Sequence, residues 1–115
     1  MIERIRYKYG MVNKLRRSVG RAGSLTCIEW TAADIPSSVL ASLDAEKILD
    51  LPDEMGNPEA GTPIEIDLIE VRGEGIRKSI RVCNRGIGLF GTDSEELKRV
   101  HRFCCAMDDA WKEGR

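Results

Sequence analysis

A chain of 115 residues with 42% hydrophobic and 32% charged residues suits one folded domain with its own core, and it excludes wholesale disorder. Its net charge of −1 excludes a polyanion binder that works by overall charge. No apolar run nears the roughly 18 residues of a membrane span, and Met1-Ile2-Glu3-Arg4 lacks a signal peptide's apolar core, so a cytoplasmic location is expected.

The charge is unevenly spread. Residues 1–25 hold seven basic residues against Glu3, whereas residues 26–74 hold twelve acids against Lys47 and Arg72. The cysteines, Cys27, Cys83, Cys104 and Cys105, lack the spacing of a secreted disulfide scaffold, and adjacent helical cysteines diverge by about 100°. Reduced, mostly buried thiols are expected.

In chain order, residues 4–9 alternate. Arg4, Arg6 and Lys8 fall on one side and Ile5, Tyr7 and Tyr9 on the other, which predicts a strand with one wet face. Residues 11–23 fit a helix, a strand or a loop equally well. Ser24–Trp30 is rich in strand formers. After a turn at Asp34-Ile35-Pro36, the apolar residues Val39, Leu40, Leu43, Ile48 and Leu49 predict a second helix or two short turns.

Residues 52–63 form an acidic stretch in which three prolines and two glycines argue against regular structure. A loop of about 12 residues is uncommon in a compact domain and suggests a role. Residues 64–71 and 76–84 then predict a hairpin. With Gly73-Glu74-Gly75 as a three-residue loop, Leu68 faces Ile80, Ile66 faces Val82 and Asp67 meets Arg81. That register puts the apolar partners on one face, leaving Ile69 and Val71 out of step.

Residues 93–112 predict a long amphipathic helix. Thr92-x-x-Glu95 and Asp93-x-x-Glu96 are capping-box patterns, and Gly114 is a natural stop. Leu97, Val100, Cys104, Met107 and Trp111 share one face, widened by Phe103 and Ala110. The expected architecture is a single α+β domain over residues 1–115. It has an antiparallel sheet of three to four strands packed on this C-terminal helix and a shorter middle helix.

Four constellations bear on chemistry. His101, Cys105 and Asp108 lie on one edge of the long helix and are candidate metal ligands, with Cys83 within range, although no Cys-x-x-Cys pair supports them. The same Cys105–His101 pair is a candidate nucleophile and base, with no substrate site legible beside it. Gly86-x-Gly88-x-x-Gly91 has the letters of a dinucleotide fingerprint, but no parallel strand follows it to carry a ribose-binding acid. Basic residues of segment 4–21 alternate with Tyr7 and Tyr9, a pattern that suits nucleic acid, although strand parity turns the tyrosines away from the cations.

No cofactor and no catalytic set is expected. The leading expectation is a small non-enzymatic module that binds another protein, of inhibitor, immunity or regulatory type, and self-association into a homodimer is compatible with it. Asp53, Glu54 and Glu59 in the acidic stretch and Arg16 and Arg17 near the N-terminus are the candidate partner-binding residues. A nucleic-acid binder that uses segment 4–21 is the alternative, and a metal-binding domain is the third reading.

Overall fold

A computed structural model describes residues 1–12, 25–56, 64–88 and 94–114. Five strands, β1 (Ile2–Val12), β2 (Thr26–Thr31), β3 (Glu54–Gly56), β4 (Ile64–Gly73) and β5 (Ile76–Cys83), form one sheet in the order β2-β1-β4-β5-β3. Among the described residues the α-helices are α1 (Ser37–Ala45), a four-residue α2 (Arg85–Gly88) and α3 (Glu95–Glu113). The α+β class is as expected, but the sheet has five strands and is mixed. β3 pairs with β5 in parallel, whereas the other neighbours run antiparallel.

β3 arises inside the acidic stretch read as irregular. Its backbone joins the free edge of β5, with Arg81 N–H donating to Asp53 O at 2.7 Å. Gly56 makes this approach possible. Its φ is +86°, and a β-carbon there would lie 1.9 Å from the Cys83 carbonyl oxygen. Of those signals Pro52 and Gly56 bracket a short edge strand, while Pro58, Gly61 and Pro63 lie outside the described residues.

β1 alternates as its sequence requires. Ile5 and Tyr7 are buried, while Arg4, Arg6 and Lys8 face outward. The hairpin differs from the expected register by one residue. Gly73 pairs with Ile76, so the turn is the two residues Glu74-Gly75, with Gly75 at φ +71°. Ile69 then faces Ile80, and Asp67 faces Val82. The inner face of the hairpin is Asp67, Ile69, Val71, Ile80 and Val82, all buried, and Leu68 turns outward. A one-residue slip exchanges the faces of a strand, and here it makes core of the two residues that seemed out of step.

α1 and α3 cover that inner face together. Val39 and Leu43 of α1 and Leu97, Val100, Phe103, Cys104, Met107 and Ala110 of α3 join the sheet residues in one core. Trp111 ends the stripe half-buried, edge-on to Trp30 with ring centroids 5.9 Å apart. The N-cap of α3 is Ser94, whose hydroxyl accepts from Leu97 N–H at 3.2 Å, one residue past Asp93 and two past Thr92, the expected caps. Thr92 and Asp93 lie outside the described residues. Arg99 of α3 donates to the carbonyls of Glu46 and Lys47 at the end of α1, and Arg102 reaches the Glu46 carboxylate. These contacts satisfy open carbonyls at the helix end and fix the angle between the two helices.

Candidate functional site

Two polar regions stand out, one inside the fold and one on its surface. The inner one starts at Asp67, whose carboxylate is only 1% exposed. It accepts from the Tyr7 hydroxyl on one oxygen and from Arg85 Nε at 3.1 Å on the other. A buried carboxylate needs such partners, because desolvation would otherwise disfavour its charged form. Arg85 is aimed by the turn that precedes it. Asn84 takes a left-handed φ of +52°, its side-chain oxygen accepts from Glu65 N–H, and its own N–H donates to Glu65 O. Burial, together with Cys104 and Asp67 nearby, pushes the Tyr7 phenol well above its ordinary value. Burial likewise pushes the Cys104 thiol up to about 12, so it stays a protonated, unreactive packing group.

Arg85 also meets His101. Its Nη1 lies 2.6 Å from His101 Nδ1, and His101 Nε2 lies 3.6 Å from Cys105 Sγ. An arginine only donates, so Nδ1 must accept and the proton of the neutral ring resides on Nε2. His101 therefore donates toward the Cys105 sulfur and has no lone pair there to take a thiol proton. The same tautomer opposes metal ligation, because the nitrogen nearest the sulfur carries hydrogen. Asp108, the third member of the expected trio, is held elsewhere, with Tyr9 at 3.2 Å and Lys112 at 2.8 Å. Among the described residues no three His, Cys, Asp or Glu side chains converge as a metal site would require.

Burial, then the Arg85 charge, lowers the His101 pKa below its ordinary 6.5. The unfolded chain therefore binds the proton more readily, and the stability held above pH 6.5 declines as pH falls through the lowered folded value. We expect the urea midpoint of the wild type to fall between pH 7.5 and pH 5.5, and His101→Gln to lose less over the same interval. Equal losses in the two proteins would remove His101 as the cause.

The surface region is the other side of the sheet. Helices cover the inner face, while Arg4, Arg6, Lys8, Cys27, Glu29, Thr31, Leu68, Glu70, Arg72, Arg77, Ser79 and Arg81 line the outer one, each exposed or half-buried. Cys27, like Cys105, is exposed rather than buried as expected, because it falls on this outer parity of β2. The charges form rows across the strands. In one row Arg6 sits between Glu29 at 2.7 Å and Glu70 at 3.5 Å. Glu54 meets Arg81 at the β3 edge, and beside it Asp53 meets Lys78, which has the inner parity of β5, at 2.8 Å. The protein's own cations thus engage Asp53 and Glu54, while Glu59, Arg16 and Arg17 lie outside the described residues.

Two shallow depressions mark this face. One of about 390 Å³ lies over Leu68, Glu70, Ser79, Arg81 and Glu54, and one of about 410 Å³ lies beside Arg4, Arg72 and Arg77. Among the described residues the face carries no aromatic side chain, since Tyr7, Tyr9 and Trp30 have the inward parity. The basic–aromatic alternation of β1 therefore does not form a stacking platform. Sequence reasoning missed Asp67 and Arg85 because the expected register placed Asp67 outside. It also missed Arg72 and Arg77 as neighbours, because that register set Arg72 against Ile76.

Of the glycine-rich segment, Arg85–Gly88 forms α2, and residues 89–93 are outside the described part. No described helix is long and apolar enough to cross a membrane. Comparison with known proteins gave no matching family, no matching curated protein and no matching solved structure.

Proposed function

We propose that this chain is a small non-enzymatic module that binds another protein through the outer face of its sheet. The observation that carries the reading is the division of the sheet. Among the described residues one face holds the hydrophobic core cluster, and the other, apart from the buried Ile66, presents ordered rows of opposite charge with two depressions between them. Rows of charge steer a complementary surface and fix its register more than they add raw affinity. The inner polar network supports this reading indirectly. Its carboxylate oxygens are both engaged by the protein itself, and its histidine is turned into a donor, so it reads as a strut between α3 and the sheet.

The test is capture of a partner from the native host with the tagged chain, followed by its identification and affinity measurement. Lys8→Glu and Leu68→Asp, both on the outer face, should weaken binding of the identified partner at least tenfold while leaving the thermal midpoint near that of the wild type. A control change on the helical layer, Lys98→Glu, should leave binding intact. Binding lost equally with the control would refute the face. Oligonucleotide binding that weakens steeply with salt, with a slope flattened by Arg16→Ala and Arg17→Ala, would replace the proposal with the nucleic-acid reading.

A further inference from the structure

Within the outer face, one row of charge is left unbalanced. Arg4 pairs across the sheet with Arg72, and Arg72 pairs with Arg77, so three guanidinium groups stand side by side on three adjacent strands. Like charges directly opposite one another disfavour a sheet. The neighbouring row solves this problem by alternation, with Arg6 between Glu29 and Glu70. Here Arg4 comes no closer than 3.9 Å to Glu29, which is already held by Arg6 at 2.7 Å. Among the described residues, no carboxylate lies within ion-pair distance of Arg72 or Arg77. The sheet tolerates a repulsion that one acidic substitution would remove, and the three cations border the depression of about 410 Å³ whose other polar walls include Glu3 and Thr31.

We propose that this arginine row receives a phosphorylated side chain of the protein partner, an inference that rests on the protein-binding reading above. The charge fits. Three arginines less Glu3 leave about two positive charges, and a phosphomonoester carries about −1.5 to −2 at neutral pH. Guanidinium forks match phosphate oxygens in pairs, and Thr31, whose hydroxyl donates to Asp34 at 3.4 Å, closes the end of the row. The site is also bounded. The backbones of Glu29 and Glu70 lie two residues along their strands, roughly 7 Å from the row, with the Glu29 carboxylate reaching to 3.9 Å from Arg4, and both would repel a polyanion that continued across the face. That bound, with the absence of an aromatic platform among the described residues, favours a point dianion on a peptide over a nucleic-acid strand. β2 lies at the sheet edge, where an extended peptide could add backbone hydrogen bonds beside the phosphate.

The full chain, labelled with nitrogen-15, should be titrated at constant ionic strength with three probes. These are acetyl-Gly-Val-phosphoserine-Val-Gly-amide, the same peptide with serine, and inorganic phosphate. The expected result is saturable movement of the Arg4, Arg72 and Arg77 side-chain signals, at least tenfold tighter for the phosphopeptide than for either other probe. Arg72→Gln should weaken the phosphopeptide at least tenfold, with a thermal midpoint equal to or above the wild type's, while Lys98→Gln, on the helical layer, should leave the affinity unchanged. Inorganic phosphate binding as tightly as the phosphopeptide would overturn the peptide source. Non-saturating shifts shared with Lys8 and Arg81, or an unchanged affinity in Arg72→Gln, would overturn the site itself. Failure here, with Lys8→Glu and Leu68→Asp still abolishing partner capture, would refute the phosphate and spare the protein-binding reading.

Discussion

Asp67→Ala is expected to cost about 3–5 kcal/mol of folding stability, read as a lower urea midpoint with an unchanged slope. The residue is 1% exposed, and its two carboxylate oxygens answer the Tyr7 hydroxyl and Arg85 Nε. Alanine leaves both donors without an acceptor and leaves the Arg85 charge beside a core that cannot solvate it. Arg85 also holds His101 of α3, so the loss spreads from β4 to the helix. The triple change Asp67→Leu, Arg85→Met and Tyr7→Phe removes all the polar partners at once and should cost less than Asp67→Ala alone. Buried ion networks exchanged whole for apolar groups are often near neutral. A loss below about 1 kcal/mol for Asp67→Ala would mean that the network does not hold the fold together.

Phe103→Ala is expected to cost about 3–5 kcal/mol. The ring is completely buried on the face of α3 that packs among Ile, Val and Met side chains of the core. Truncation removes its transfer free energy and leaves a cavity that well-packed neighbours close only in part. Thermal or urea denaturation checks the size of the loss, and Phe103→Leu should recover a large share of it by refilling the volume. If Phe103→Ala cost no more than an exposed substitution such as Lys98→Ala, α3 would not be the organiser of the core that the sequence implies.

The helix and the first strand were readable because local pattern and tertiary demand agree there. The stripe of α3 from Leu97 to Ala110 is what its spacing predicts, and β1 buries Ile5 and Tyr7 as its alternation predicts. The hairpin was misread because a carboxylate sits on its apolar face. Counting Asp67 as a surface residue forces Ile66 and Leu68 inward and lengthens the turn to three residues. The true register becomes tenable only because Tyr7, sixty positions away, and Arg85, eighteen away, converge on that carboxylate. The arginine row was hidden for the same reason, since Arg72 and Arg77 become neighbours only in the two-residue turn. The pairing of β3 with β5 was equally out of reach. It joins residues about 27 positions apart, and its enabling feature is the left-handed Gly56 fitted against the Cys83 carbonyl.

The sequence alone determined the α+β class, the long closing helix and the wet face of β1, because hydrophobic period and helix-stop signals act within a few residues. Tertiary structure alone decided which face of the hairpin is core, that the sheet is mixed with five strands, and that His101 is a donor beside Cys105. Each of those outcomes depends on whether a buried polar group finds its partner, and that partner lies far along the chain.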